Sequence, residues 1–322
     1  MRPTPAELEA FRRDGFVVLP GVFLPERMAA ALAALEPLFY GEPFATWERE
    51  QAAGRRPGTI ADGIAPFADG RRSRWPTGHD ALDALIEEAT LLDVATALLD
   101  ATPFFCNAHL FLRCGPTDQR FPADPWSGWH FDHLNHGLLP PADDPATHHY
   151  LNLAVHLADV DADCAPTLFL PGTQRRAVAL AAAALADGNF DAGTFRDVRR
   201  LGDLGDPVAA TGPVGSVTVA SSYVLHAAQP FRDRRRQRPF WTLSVGRRDH
   251  ASFCRYADPF LHGERDHLRP WLIRATPRLR TLLGWPPPGD PYYTPATLTL
   301  LERAYPGIGL APYRAAMKPR GA

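Results

Sequence analysis

From residue 103 onward the chain is cut into short apolar, β-branched and aromatic runs separated by turn residues, and that texture restricts the fold most. The runs are Pro103 to Arg113, Gly128 to His133, His148 to Leu157, Thr167 to Leu170, Ser216 to Tyr223 and Phe240 to Arg247. Short strands at this spacing, with turn residues between them, predict a sandwich or barrel rather than a parallel α/β sheet. One helical insertion, about residues 175 to 200, interrupts the series.

Before residue 103 the reading is mainly helical. Thr4-Pro5-Ala6-Glu7 offers a hydroxyl cap, a proline at the first helical position and a glutamate three residues after the cap. That helix is expected to stop near Asp14-Gly15, with a strand at Phe16 to Leu19 and a second helix from Pro25 to Phe39. Residues 80 to 100 carry Leu82, Leu85, Ile86 and Ala89 on one helical stripe. Residues 41 to 79 are rich in Gly, Pro and Arg without periodicity, and loops that long usually serve function. We read residues 1–322 as one domain, with 41–79 and the tail 249–322 as substrate-covering segments.

Composition excludes several classes. The chain is 45% apolar and 22% charged, as in ordinary globular proteins, so disorder and fibrous architectures drop out. A net charge of −2 gives no electrostatic case for nucleic acid or anionic membrane. Cys106, Cys114, Cys164 and Cys254 are widely spaced and read as free thiols in a reducing compartment. Met1 to Glu7 has no apolar signal region, and the windows Met28 to Leu35 and Val178 to Ala186 are too short to span a bilayer. These features lead us to expect a cytoplasmic protein. Oligomeric state leaves no mark in the sequence.

The strongest chemical signal is Trp129-His130-Phe131-Asp132-His133. On a strand, His130 and Asp132 share a face and offer an imidazole and a carboxylate to one metal. His226, at the end of the run Gly215 to Ala220 and before a proline turn, can supply a third donor. Two histidines and one carboxylate leave three positions open on Fe(II), for dioxygen and a chelating co-substrate. The usual co-substrate there is 2-oxoglutarate, whose far carboxylate needs a buried cation, best a forked guanidinium. Of the 34 cations 33 are arginine, and the only lysine, Lys318, lies outside the strand region. Arg232, Arg234, Arg235, Arg236 and Arg238 follow His226. Arg238 opens a strand on which Phe240, Thr242 and Ser244 share its face; Arg236 is the second choice. Asn152 and His156 share parity on another strand and can line the pocket, whereas His133, His136, His148 and His149 read as surface or core histidines. Tyr223 fits either the co-substrate or the core.

These ordered motifs together resemble the phytanoyl-CoA dioxygenase-like family of Fe(II)/2-oxoglutarate oxygenases. The resemblance begins at Phe11-Arg12-Arg13-Asp14-Gly15-Phe16-Val17-Val18 and continues through the His130/Asp132 motif. It passes through Leu157-Ala158-Asp159-Val160 and Leu170-Pro171-Gly172-Thr173 and closes with His226 and Arg238. It implies a double-stranded β-helix, a jelly roll with an all-β core and helices packed on one side. It also implies Fe(II), 2-oxoglutarate and O2 as cofactors and a small-molecule substrate. The pattern departs from the family at Phe131, at Ala165-Pro166 in place of a glycine, at Ala228, and in the spacing of 12 between His226 and Arg238. Because Asp132 is retained, hydroxylation or another oxidation is expected rather than halogenation. Three other readings compete: a cupin-type metalloenzyme that does not use 2-oxoglutarate, a nucleic-acid- or protein-modifying dioxygenase, and a non-catalytic binding module on the same fold. Succinate release discriminates the first, near-zero net charge without aromatic-basic interleaving argues against the second despite the arginine cluster, and an intact triad argues against the third.

Overall fold

The computed structural model describes residues 3–40, 43–53, 75–114, 126, 128–132, 150–191, 194–229, 232, 236–248 and 265–317. The chain enters through α1 (Pro5–Asp14), whose Thr4–Glu7 capping box and leading Pro5 form as the sequence predicts. β1 (Phe16–Leu19), α2 (Pro25–Tyr40) and α3 (Phe44–Ala52) follow. The last corrects the expectation of an unstructured 41–79: Phe44 packs on Tyr40 with ring centroids 5.3 Å apart, and its N–H donates to Glu36. Residues 54–74 of that segment lie outside the described residues.

The stripe at 80–100 is three pieces rather than one helix: α4 (Asp80–Asp83), a 3₁₀ turn at Ala84–Glu87, and α5 (Ala89–Leu99). The break sits at Glu88, which caps α5 through the Thr90 N–H and pairs with Arg27. Leu82, Leu85 and Ile86 are fully buried as the spacing requires.

The strands are β2 (Pro103–Cys114), β3 (Trp129–His130), β4 (Tyr150–His156) and β5 (Thr167–Phe169). Helix α6 (Ala177–Ala186) leads to β6 (Phe190–Asp191), β7 (Thr194–Phe195), β8 (Val208–Ala209), β9 (Val217–Ser221), β10 (His226–Ala228) and β11 (Gln237–Arg247). The helical insertion is therefore shorter than expected. The chain turns at Gly188, with φ +63°, and Asn189 holds the ends of a short β6–β7 hairpin by bonding the Asp197 N–H and C=O.

Two antiparallel sheets result, ordered β1-β9-β4-β11-β2 and β6-β7-β3-β10-β5-β8. This is the jelly roll that the family resemblance implies, and it is one of the sandwich-or-barrel architectures expected from the strand spacing. Alternation sorts the residues of each strand. Leu151, Leu153 and Val155 of β4, Val217 and Val219 of β9, and Trp241, Leu243 and Val245 of β11 face a helical layer with Met28, Leu35, Leu92 and Leu99. Asn152, His156, Thr218, Arg238 and Ser244 have the opposite parity and line the space between the sheets. On the smaller sheet, Trp129, Phe131, Leu170, Tyr223 and Leu225 pack outward against Leu180 and Ala184 of α6. Phe16 and Phe169 stack across the gap, with centroids 4.4 Å apart.

The tail continues as α7 (Arg265–Arg274), α8 (Pro277–Leu282), α9 (Pro295–Ala304) and α10 (Ala311–Ala315). Trp271, Leu279 and Leu282 belong to the helical core on the outer face of the larger sheet, and Trp271 meets Trp75 edge-on. This part of the tail buttresses the sheet, with its apolar side chains packed into that core. Arg280, 1% exposed, donates to the carbonyls of Leu272, Ile273 and Gly309 and so locks the remaining tail helices onto α7. No helix among the described residues is long and apolar enough to cross a membrane.

Gly15 joins the first helix to the barrel. Its φ is +84°, and a Cβ there would lie 2.6 Å from the Gln174 side-chain oxygen and 3.0 Å from Val224. Gln174 cannot swing away, since its amide donates to the Arg12 and Arg13 carbonyls. Gly15→Ala is expected to destabilise the fold by about 3 kcal/mol, from left-handed strain plus overpacking. Denaturant unfolding checks this, and a loss under 1 kcal/mol would refute the close approach.

Candidate metal centre and co-substrate pocket

Three donors converge between the sheets. His130 and His226 are direct cross-strand partners in the β3–β10 ladder, with ring centroids 4.3 Å apart. Asp132 Oδ1 lies 3.6 Å from His130 Nε2 and 3.5 Å from His226 Nε2. The expected strand over Gly128 to His133 pairs only at Trp129 and His130, so Asp132 stands just past the ladder; alternation still buries Trp129 and Phe131 and leaves His130 and Asp132 inward. One atom from each of the three residues lies within 4.8 Å of the others, and together they can hold a metal ion.

The ligating atoms are preset by their neighbours. His130 Nδ1 is 3.0 Å from the Gly128 carbonyl, and His226 Nδ1 is 3.1 Å from that of Val224. Each carbonyl accepts from an Nδ1–H, which fixes the tautomer that leaves the Nε2 lone pair facing Asp132. Asp132 is oriented in turn. Asn152 on β4 donates to Asp132 Oδ2, and Ser244 on β11 donates to Asn152 Oδ1 at 2.5 Å. Asn152 and Ser244 are register partners, so the larger sheet aims the carboxylate held by the smaller one. Asn152, a co-substrate candidate from sequence, is thus placed on the carboxylate. Asn152→Leu is expected to weaken divalent-metal binding by about 10–100-fold with little loss of fold. A Co(II) titration measures this, and unchanged affinity would remove Asn152 from the centre.

Further along the same inner face lies a second polar group. Arg238 on β11 is 5% exposed, and its guanidinium sits 4.6 Å from the centre of the Phe240 ring. Its Nε has no hydrogen-bond partner, and burial pulls its pKa down to about 10. Phe240 is the register partner of His156 on β4. His156 is also 5% exposed; its Nε2 lies 2.9 Å from Thr218 Oγ1 and its Nδ1 has no partner. Burial, then the Arg238 charge, lowers the His156 pKa to about 4, so the ring is neutral.

The other candidates fall elsewhere. Arg236 is bound at the surface, 2.5 Å from Asp161 and also donating to the Asp159 carbonyl. An ion pair is expected for a half-exposed charge in reach of a carboxylate. Tyr223 lies in the apolar cluster on the outer face of the smaller sheet, away from the donors, because its parity opposes that of His226 across the turn. Burial raises its pKa and holds the phenol neutral. His133, His136, His148, His149, Arg234 and Arg235 lie outside the described residues. Ser244 is the polar residue whose role the sequence reading missed; its parity with Arg238 was the available signal.

A jelly roll enclosing two histidines, one carboxylate and a buried arginine defines the non-haem oxygenase class of this architecture. The chain belongs to the phytanoyl-CoA dioxygenase (PhyH) family, whose profile matches residues 11–238. Iron, 2-oxoglutarate and dioxygen are the cofactors of these enzymes. Similar solved structures include EctD from S. alaskensis with 2-oxoglutarate and 5-hydroxyectoine, at 20% identity over 77% of each chain and a TM-score of 0.50. The non-haem α-ketoglutarate-dependent carbocyclase SnoK from nogalamycin biosynthesis is 16% identical over 76% of this chain and 84% of its own, with a TM-score of 0.49. AviO1 from Streptomyces viridochromogenes Tue57 is 18% identical over 77% of this chain and 96% of its own, with a TM-score of 0.48. At such identities the likeness concerns the fold. No curated protein sequence matches the chain.

Proposed function

We propose that this chain hydroxylates an unactivated C–H bond of a small molecule in bacterial secondary metabolism, using Fe(II), 2-oxoglutarate and dioxygen. The observation that carries the reading is a three-donor metal cluster and a buried guanidinium, with no carboxylate partner among the described residues, on the inner faces of one barrel. The residues fit the cofactors. His130, Asp132 and His226 would hold iron, and the orphaned Nε of Arg238 calls for an anion such as the far carboxylate of 2-oxoglutarate. Bound there, iron with 2-oxoglutarate and dioxygen supplies the oxidising power that breaks the C–H bond. The protein supplies position: the carbonyls of Gly128 and Val224 fix the imidazoles, Asn152 and Ser244 aim the carboxylate, and Arg238 sets the co-substrate's direction.

Asp132 fills the position a halide would need, which favours oxygenation over halogenation. A net charge of −2 gives no overall electrostatic pull toward nucleic acid, which favours a small substrate. Arginine in place of lysine, with abundant Ala and Pro, matches a GC-rich bacterial source. The test is anaerobic addition of Fe(II) and then 2-oxoglutarate, followed by succinate release on adding oxygen. A visible iron-to-ketoacid charge-transfer band and succinate are expected. Iron binding without the band would replace this reading with a cupin-type enzyme that does not use 2-oxoglutarate.

A further inference from the structure

We propose that His156, held by Thr218, is a positioning residue that donates from Nδ1 to the far carboxylate of the keto-diacid co-substrate beside Arg238. This rests on the reading of Arg238 given above and adds to it a second, uncharged donor. His156 is nearly fully buried, yet Nδ1 has no hydrogen-bond partner; the Gly212 backbone lies beside the ring without closing such a bond to that nitrogen. An unmet buried imidazole nitrogen costs free energy unless something arrives to bond it. Arg238 Nε is orphaned in the same way, and the two side chains flank Phe240, one across the ladder and one over its ring. Two orphans beside each other call for one shared ligand. They cannot satisfy each other in the tautomer with a proton on Nδ1, because both are then donors. A carboxylate, with two oxygens and only lone pairs, accepts from both.

The hydrogen bond to Thr218 completes the logic. If Nδ1 carries the proton, Nε2 is an acceptor and Thr218 Oγ1–H donates to it at 2.9 Å. The hydroxyl therefore sets the tautomer, as the backbone carbonyls do for the metal-site histidines. Because the ring stays neutral, the pocket carries the single positive charge of Arg238 against a single negative carboxylate. The row of His156 lies four residues along β4 from Asn152, which holds Asp132. That is roughly 13 Å of strand, shortened by the side chains that reach in from both ends, a span suited to a short dicarboxylate anchored at the metal.

The experiment measures binding rather than turnover. Full-length protein loaded with Fe(II) is titrated anaerobically, by calorimetry and by the charge-transfer band, with 2-oxoglutarate and with 2-oxopentanoate. The second has the same carbon chain but no far carboxylate. His156→Phe keeps the ring volume and removes the donor; the expected result is 2-oxoglutarate binding weakened roughly tenfold or more, with 2-oxopentanoate unchanged. His156→Asn, whose amide can stand where Nδ1 stands, is expected to recover most of the loss. Thr218→Val, which leaves the ring but frees its tautomer, is expected to fall between, and it carries the test if the phenylalanine variant does not fold. Equal weakening of both ketoacids, or unchanged 2-oxoglutarate binding, would overturn the proposal. Failure of the underlying reading looks different: the wild type itself would then bind both ketoacids alike, and Arg238→Met would change neither.

Discussion

Asp132→Asn is expected to abolish iron binding, weakening it by about 100-fold or more, although the replacement is nearly isosteric. The reason is the hydrogen bond on its far oxygen. Asn152 Nδ2 donates to Asp132 Oδ2 and is itself held by Ser244. An asparagine amide at 132 has two orientations. With its NH2 toward Asn152, two donors face each other in a buried site. With its oxygen toward Asn152, the NH2 points at the two Nε2 atoms and presents no lone pair to a metal. The first orientation keeps a neutral oxygen toward the metal only at the cost of that donor clash, the second offers no ligand, and the negative charge is lost in both. Fe(II) or Co(II) titration of the purified variant reads the result, alongside denaturant unfolding to show that the barrel is intact. Iron binding within tenfold of wild type would mean that Asp132 is not a ligand.

Arg238→Met is expected to separate function from stability. In the wild type the guanidinium is buried beside Phe240 with no carboxylate partner among the described residues, and burial lowers its pKa to about 10 from 12.5. Keeping that charge costs about 3 kcal/mol of folding free energy. The sign follows from linkage: the depressed pKa means that the unfolded chain holds this proton more tightly, so below pH 10 the charge favours unfolding. Methionine fills similar volume without charge, and the ligand-free variant is expected to unfold about 1–3 kcal/mol later than wild type. The same change removes the charge-assisted contact to the co-substrate, and 2-oxoglutarate is expected to bind about 100-fold more weakly. In thermal unfolding the two proteins should therefore cross: the variant is more stable alone, and wild type gains selectively when 2-oxoglutarate is added. A variant less stable in both conditions would mean that Arg238 serves packing and not an anion.

Much of the site was legible because strands make it so. Alternation alone puts His130 with Asp132, Asn152 with His156, and Arg238 with Ser244 on common faces, and the strand spacing from residue 103 selects a sandwich or barrel, which the family resemblance narrows to a jelly roll. The helix start at Thr4–Glu7 was equally clear, since a capping box is a local device whose partners lie within one turn. Errors came where long-range contacts outweigh local pattern. The stripe at 80–100 breaks at Glu88 because Arg27, distant in sequence, pairs with it. The helix at 44–52 forms in a stretch without periodicity because Phe44 finds Tyr40 and Glu36. Ala165 occupies a left-handed φ of +52°, where the family pattern has glycine nearby, and no local preference would place an alanine there.

By itself, then, the sequence determined the architecture and the donor types. Period-two patterning states which residues share a face, and His, Asp and Arg have chemistries that survive translation into any fold. What only the tertiary structure decided is which groups meet. Arg236 and Arg238 have the same parity and charge, yet Asp161 reaches the first near the surface, whereas the second is buried and, among the described residues, pairs with no carboxylate. Tyr223 and His226 stand three residues apart, yet the turn between them sends one outward into the apolar cluster and the other inward to Asp132. Burial, partner and direction are set by distant chain segments closing on one another, and local periodicity carries no record of them.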